Sequence, residues 1–226
     1  MVTISVIIPA YNEEEQIENV LERVRSKALG THEYIVAVSG TDATAQRARR
    51  AGATVVKGGP RAVALNAGAR ASTDEIVYFL HADTIPPHGW DKLISRAYEK
   101  GNCSGSFRLK FDTSYLLLNC FAWFTRFSWS VARFGDQSLY VSKEIFQYIG
   151  GFDERLLIME DNDIVRRLKK VSTFKIIPKQ VVTSARKYKK YGLYRLQLSY
   201  VLVTLLYYCF VPQDKLIAVY KKLLSY

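Results

Sequence analysis

Asp83 is the side chain whose neighbours best equip it for chemistry. It follows the apolar run at residues 76–80, within Phe79-Leu80-His81-Ala82-Asp83-Thr84. A buried strand there would deliver a carboxylate to the sheet end at which α/β proteins present ligands. Asp is a poor strand residue and a good hard-oxygen ligand, so in this place it points to Mg²⁺ or Mn²⁺ holding phosphates. The same residue also suits a turn before Pro86-Pro87, or a cap for a helix over residues 90–100. A second acidic group, Glu160-Asp161, heads a helix whose Ile164, Val165 and Leu168 face inward and whose far end carries Arg166, Arg167, Lys169 and Lys170. On local grounds alone, acids at the start and bases at the end are what the helix dipole favours.

For Asp83 to be presented in this way, the chain before it must build a sheet. Ile4-Ser5-Val6-Ile7-Ile8-Pro9 is a short apolar run closed by proline. Asn12 before Glu13-Glu14-Glu15 reads as the start of a helix, with Ile17, Val20, Leu21 and Val24 at helical spacing. A second strand is expected over 34–38, then a helix opened by Thr41-Asp42-Ala43-Thr44 with Ala45, Ala48 and Ala51 inward. A third strand over 54–56, a loop at Gly58-Gly59-Pro60 and an alanine-rich helix over 61–72 follow. Strand and helix alternate four times with short connections, which implies right-handed crossovers and a parallel, Rossmann-like sheet. No G-x-G-x-x-G follows the first strand, and no G-x-x-x-x-G-K-S/T occurs, which argues against a dehydrogenase and a P-loop enzyme.

The second half changes character. Residues 107–111 alternate like a strand. Residues 115–134 are crowded with Phe121, Trp123, Phe124, Phe127 and Trp129, with Arg126 and Arg133 among them. Such a stretch wants an apolar partner, either the sheet or an acceptor or lipid. A short helix is expected over 143–149, ended by Gly150-Gly151. With 226 residues and 49% hydrophobic content, the chain suffices for one sizeable core and is read as a single domain. Cys103, Cys120 and Cys209 are odd in number and form no C-x-x-C, which argues against a zinc site or disulfide framework and fits a reducing cytoplasm. No charged-then-apolar leader precedes the first strand.

The net charge of +11 crowds beyond Asp161, in Arg166, Arg167, Lys169, Lys170, Lys175, Lys179, Arg186, Lys187, Lys189 and Lys190. Beside these bases lies an apolar, tyrosine-rich run, residues 198–211, shorter than the roughly 20 residues that span a bilayer. That combination fits the surface of an anionic membrane better than a base-reading groove, so nucleic acid is not an expected partner. A core helix or a dimer helix is the alternative for the same run.

Four segments in order carry a resemblance over nearly the whole chain. They are Ser5-Val6-Ile7-Ile8-Pro9-Ala10-Tyr11-Asn12-Glu13-Glu14, Leu65-Asn66-Ala67-Gly68, Phe79-Leu80-His81-Ala82-Asp83-Thr84, and Gly150-Gly151-Phe152-Asp153-Glu154 with Glu160-Asp161. Together they resemble the inverting glycosyltransferases of the GT-A fold, in the large family that includes dolichyl-phosphate sugar synthases. The nearer likeness is to a soluble subgroup with His-Ala-Asp-Thr in place of Asp-x-Asp, with Gly135-Asp136-Gln137 before the acceptor helix and Thr183-Ser184-Ala185-Arg186 near the end. The resemblance implies an α/β GT-A (Rossmann-like) fold: a mostly parallel central sheet flanked by helices, with a helical C-terminal segment. Residues 1–100 would bind the nucleotide sugar, 101–190 would supply the acceptor and catalytic half, and 191–226 the C-terminal helices.

It also implies roles. Pro9, Ala10, Tyr11 and Glu13 would lie against base and ribose, Arg61 and Asn66 near the nucleoside, and Asp83 on a divalent metal, Mn²⁺ or Mg²⁺, bridging the diphosphate. Asp161 would take the proton of an acceptor hydroxyl, with Glu160 the second candidate. Arg186 and Lys187 would neutralise the departing nucleoside diphosphate, and Asp136 and Gln137 would belong to the substrate site. His81 would touch metal or ribose, or be structural. The chain departs from the family pattern at Val38-Ser39-Gly40, where an acid usually reads uracil, and at His81, where the first acid of Asp-x-Asp usually stands. Asp42 is either a substitute base contact or a helix cap. The implied activity is transfer of a sugar from a nucleotide-sugar donor to a glycan or lipid-linked acceptor, peripheral on the cytoplasmic membrane face. The competing reading is a protein of this fold that binds a sugar nucleotide or lipid without turnover.

Overall fold

The computed structural model describes residues 2–127 and 137–224. The chain runs β1 (Ile4–Tyr11), α1 (Ile17–Ser26), β2 (Glu33–Ser39), α2 (Thr44–Arg50), β3 (Thr54–Lys57), α3 (Arg61–Ala71), β4 (Ile76–Phe79), β5 (Thr84–Ile85) and α4 (Trp90–Glu99). It continues through β6 (Ser104–Phe111), α5 (Leu116–Phe124), β7 (Leu139–Ser142), α6 (Lys143–Tyr148), α7 (Glu160–Val171) and β8 (Phe174–Thr183). Three helices close it: α8 (Arg186–Tyr191), α9 (Leu193–Tyr208) and α10 (Gln213–Leu224).

One sheet carries everything, in the order β3-β2-β1-β4-β7-β6-β8-β5. β1 to β4 are parallel, as their βαβ spacing predicts. β7 runs antiparallel to β4 and β6, so the sheet is mixed in its second half. Side chains alternate across it. Ile4, Val6, Ile8 and Ala10 of β1 face Val20, Leu21 and Val24 of α1, Ala48 of α2 and Trp90 of α4. Ile7, with Val77 and Phe79 of β4, faces Ala62, Leu65 and Ala69 of α3, Phe146 of α6, and Ile164, Val165 and Leu168 of α7.

The crevice that matters opens between β1 and β4, where the strand order changes direction. β1 runs two residues past the proline that seemed to close it. The backbone N–H of Leu80 donates to the Ile7 carbonyl, and the β1–β4 pairing ends at Ile7 and Phe79. Residues two apart on a strand face the same way, so Pro9 turns its donor-less nitrogen to the side β4 has left, and no ladder bond is lost. α1 begins later than Asn12 suggests. Asn12 is left-handed (φ 50°), and the N–H groups of Glu13 and Glu14 donate to Thr44 Oγ1 and Asp42 Oδ2, so this segment is a turn tied to the head of α2. The Asp42 carboxylate is engaged at the head of α2: it accepts from Thr44 Oγ1 and Thr44 N, and those bonds hold its pKa below the usual carboxylate value.

The strands β5, β7 and β8 lack a readable pattern. β5 has two residues and β7 four. β8 contains Pro178, and the β6–β8 register jumps there: Phe107 pairs with Ile177 and Arg108 with Gln180, leaving Pro178 and Lys179 in a bulge. No described helix is long and apolar enough to cross a membrane. α5, read from its aromatics as either packed or acceptor-facing, is divided: Leu118 and Ala122 are buried, whereas Leu116, Trp123 and Phe124 are exposed. Trp129 and Arg133 lie outside the described residues.

α3 sits close on the sheet because Gly68 has no side chain; a Cβ there would come 2.4 Å from Ile7 Cγ2. Ile7 is fully buried and β-branched, so it has little room to yield. Gly68→Val is expected to lower stability by about 1–3 kcal/mol in a denaturant titration, and an unchanged midpoint would contradict this packing.

Candidate active site

At the open end of β1 and β4 lies a cleft of about 570 Å³. Pro9, Ala10, Tyr11 and Glu13 line it from β1 and the turn beyond, Arg61 from α3, His81 and Asp83 from the segment after β4, and Arg186 and Lys187 from α8. Tyr11 is 70% exposed at the rim, a ring free to stack on a planar ligand. Two cationic bridges organise the cleft.

The first is built by β5. Thr84 pairs with Thr183 at the end of β8, Thr84 Oγ1 donates to Thr183 Oγ1 at 2.9 Å, and Ser184 N donates to the Asp83 carbonyl. This short pairing brings Arg186 to Asp83. Arg186 grips Glu13 with both Nη atoms, at 3.1 and 2.5 Å, and its Nη2 lies 3.5 Å from Asp83 Oδ2. The bonds to Glu13 raise the Arg186 pKa further above its usual value.

The second bridge is Arg61, the first residue of α3. Its Nε lies 3.1 Å from Glu160 Oε1, its Nη2 lies 2.9 Å from Asp161 Oδ2, and it also donates to His81 Nε2. Thus α3, the end of β4 and the head of α7 meet at one guanidinium. Glu160 is buried and Asp161 half-buried. Burial raises the Glu160 pKa above its ordinary 4.5, with Arg61 opposing the shift and the Asp161 charge adding to it. Asp161 lines a narrow hollow of about 20 Å³ shared with Arg61, His81 and Gln137, adjoining the large cleft through Arg61 and His81.

The start of α7 is held from several sides. Met159, just before it, is left-handed at φ 70°, an uncommon conformation for a non-glycine residue that persists only when its surroundings enforce it. Gln213 Oε1 accepts from the N–H groups of Leu157 and Ile158, and Tyr208 donates its hydroxyl proton to Asn162 Oδ1 at 2.7 Å. Arg167 bonds Asp163 and donates to the carbonyls of Ile149 and Gly151.

Asn66 belongs to this support. Its side chain accepts from Phe152 N and donates to Phe152 O and Glu154 Oε1, each at 2.9 Å. It does not line the cleft. Gly151 must be glycine for the same reason, since a Cβ would fall 2.7 Å from Asn66 Oδ1 at φ 69°. Asn66 and Arg70 hold the Glu154 pKa below its usual value.

Of the residues singled out in the sequence, Pro9, Ala10, Tyr11, Glu13, Arg61, His81, Asp83, Arg186 and Lys187 come together in the cleft. Asp161 and Gln137 line the adjoining hollow. Glu160 is tied to the cleft through its ion pair with Arg61, and Asp136 lies outside the described residues. Gly59, Pro60, Ala64 and Ala82 line the cleft without having been assigned to it, and Ser39 lines it from the Val38-Ser39-Gly40 segment, where the family pattern usually has an acid. For Gly59 and Pro60 the loop before a helix was the visible signal.

Among the described residues no three His, Cys, Asp or Glu side chains cluster to enclose a metal. That donor set still fits Mg²⁺ or Mn²⁺ of the kind that takes one or two carboxylates and draws its remaining ligands from phosphates and water. Asp83 supplies one such carboxylate at the cleft floor.

The sheet order, the crevice at β1 and β4 and the flanking helices define a GT-A fold. The glycosyl transferase family 2 profile matches residues 5–123, and the chain belongs to that family. No curated protein is matched by the sequence itself. Among solved structures it is similar to the mannosyltransferase PcManGT of Pyrobaculum calidifontis, in complex with GDP-Man and Mn²⁺: TM-score 0.72, 20% identity, 97% of this chain and 69% of that one. It is similar to glucosyl-3-phosphoglycerate synthase of Mycobacterium tuberculosis, in complex with Mn²⁺, UDP and glucosyl-3-phosphoglycerate: TM-score 0.62, 21% identity, 93% and 81% coverage. Another likeness is to residues 1–349 of TarS of S. aureus in complex with UDP-GlcNAc, with TM-score 0.64, 16% identity and coverage of 81% and 59%.

The buried state of Glu160 has a measurable consequence. Because its pKa is raised in the fold, the folded protein keeps a proton that the unfolded chain has released. Stability therefore falls as pH rises from about 4.5 through the folded value. Replacing Glu160 by Gln removes that dependence. The Tm of Glu160→Gln relative to wild type is expected to improve steadily as pH increases, and a difference that stays flat or declines would contradict the shift.

Proposed function

We propose that this family 2 protein is a nucleotide-sugar-dependent, inverting hexosyltransferase that uses Mn²⁺ or Mg²⁺ and delivers its sugar to a hydroxyl on a glycan or lipid-linked acceptor. The observation that carries the proposal is the convergence on one crevice of Asp83 beside Arg186 and Asp161 beside Arg61. Chemistry of this class needs a cationic clamp for a departing diphosphate and a carboxylate on the opposite side for the incoming nucleophile.

Each residue then has a task. Tyr11 and Pro9 cover the nucleoside, with Ala10 leaving room for it. Asp83 would hold the divalent ion. When bound, that ion neutralises the diphosphate and favours its departure. Arg186, already lodged between Glu13 and Asp83, faces the same phosphates and takes up charge as the glycosidic bond breaks. Asp161 accepts the proton of the acceptor hydroxyl while that oxygen forms its bond to the anomeric carbon, on the side away from the diphosphate. Arg61 orients the Asp161 carboxylate through its Nη2, and Glu160 and His81 fix Arg61 in turn. In this reading residues 1–100 handle the donor and 101–190 the acceptor.

Two substitutions test it. A thermal-shift panel of nucleoside diphosphates and sugar nucleotides, with and without Mn²⁺, identifies the base; a ligand at about a hundred times its Kd stabilises by roughly 2.7 kcal/mol. Asp83→Asn is expected to abolish the Mn²⁺-dependent part of that shift with the fold intact, and equal enhancement in both proteins would refute the metal role. Asp161→Asn is expected to bind the donor normally and to transfer about 10²- to 10⁴-fold more slowly. Unchanged turnover would move the base to another carboxylate. Donor binding without any turnover by the wild type would make the protein a sugar-nucleotide binder instead.

A further inference from the structure

α9 is built inside out. Its exposed face carries Tyr194, Leu198, Val201, Leu205 and Tyr208, while its buried face includes Ser199 and Thr204 beside Leu196 and Val203. An ordinary surface helix shows the reverse arrangement. The exposed residues follow one another at spacings of four and three, so they form one continuous stripe along a helix about 24 Å long. Tyr194 is 79% exposed, Leu198 64% and Leu205 59%; Phe210, in the turn after the helix, is 91% exposed. Contiguous apolar surface of this extent on a folded protein marks an interaction site.

The charges around the stripe choose its partner. Residues 186–224 hold eight lysines and arginines against the single acid Asp214. The bases lie mainly on the two helices packed against α9: Lys187, Lys189 and Lys190 on α8, and Lys215, Lys221 and Lys222 on α10, all exposed. A four-three stripe would also suit pairing with a second copy, but two copies would press these like charges together, with Asp214 the single acid of residues 186–224 to set against eight bases. An anionic surface answers both features at once, the apolar stripe entering it and the lysines meeting its charge. Tyrosines at both ends of the stripe, with leucine and valine between, suit the boundary between headgroups and acyl chains.

We propose that α9, with Phe210, docks the protein peripherally on an anionic lipid membrane. The docked helix is the same one that supports the acid pair: Thr204 on its buried face lies against Met159, and Tyr208, at the end of the stripe, reaches Asn162 with its hydroxyl. One short helix and Gly192 separate it from Arg186. Membrane contact therefore sets the cleft close to the lipid surface.

The test is co-sedimentation of the full chain with phosphatidylcholine vesicles, with and without phosphatidylserine, at low and high salt. Binding is expected to require phosphatidylserine and to weaken with salt. Leu198→Gln/Leu205→Gln, which leaves the charge unchanged, is expected to lower the vesicle-bound fraction by about tenfold with an unchanged Tm. Lys221→Glu/Lys222→Glu is expected to reduce the phosphatidylserine preference. A Leu205→Trp protein supplies a readout independent of lost folding: its added emission is expected to move to shorter wavelength on phosphatidylserine vesicles. Vesicle binding that the double glutamine variant leaves intact, or unshifted Leu205→Trp emission, would overturn the proposal. So would a concentration-dependent dimer without vesicle binding, which assigns the stripe to a second copy.

Discussion

The site depends on the guanidinium of Arg61. α7 begins with two adjacent carboxylates, one of them buried, beside a residue already forced into a left-handed conformation. Without a counter-charge, burying Glu160 next to Asp161 would strongly favour protonation of one or the other. Arg61 supplies that charge from α3, whose approach to the sheet is set by Gly68 against Ile7. The close packing of a helix on a strand and the ionisation of a carboxylate are thus linked through one side chain. The tie from Asn66 to Phe152 and Glu154 keeps the same helix fixed to the loop before α7.

The other wall depends on sheet closure. Asp83 lies four residues beyond the end of β4, and nothing in its own segment would bring a base to it. The two-residue β5 does so by pairing with the end of β8, which places α8 and Arg186 over the mouth of β1. Glu13 completes the arrangement because its segment is held by Thr44 and Asp42 instead of continuing into α1. Three distant parts of the chain therefore meet in an ion-paired cluster only after the whole sheet has formed.

This explains what was legible beforehand. The first four strands and their helices are local signals: apolar runs, alanine spacing and turn residues mark them without reference to the rest of the chain. Most of the cleft residues lie at the ends of those elements; Asp83 stands out from its own surroundings, whereas Pro9, Glu13 and Arg61 are assigned through the family resemblance. β7, β8 and β5 form because of partners far away in sequence, and Pro178 conceals β8 where a bulge admits it. The hydrogen bonds of Asn66 are equally hidden from its own segment, since their partner Phe152 lies 86 residues away. The run at 198–211 was visible as apolar, but composition does not say which side is buried. Only the packing shows that α9, beginning five residues earlier, turns Ser199 and Thr204 inward and Leu198 and Leu205 out.

The electrostatics of the two bridges bear on how the proposed reaction would proceed. A nucleotide sugar brings a diphosphate diester, and a divalent ion cancels its charge, so loading the cleft adds almost no net charge to it. In that reading Asp83 would hold the ion, and Arg186, which pairs with Glu13 and lies 3.5 Å from Asp83, would be within reach of the phosphates without leaving Glu13 bare. Breaking the glycosidic bond adds one negative charge on the diphosphate side, where Arg186 and Lys187 line the cleft. In the proposed reaction the acceptor proton would pass to Asp161 as the hydroxyl oxygen bonds to the anomeric carbon, and Arg61 would hold that carboxylate in place through its Nη2, 2.9 Å from Oδ2. The charge that builds up on the diphosphate would thus be met by Arg186 and Lys187, while the carboxylate that receives the proton is positioned by a different guanidinium, that of Arg61.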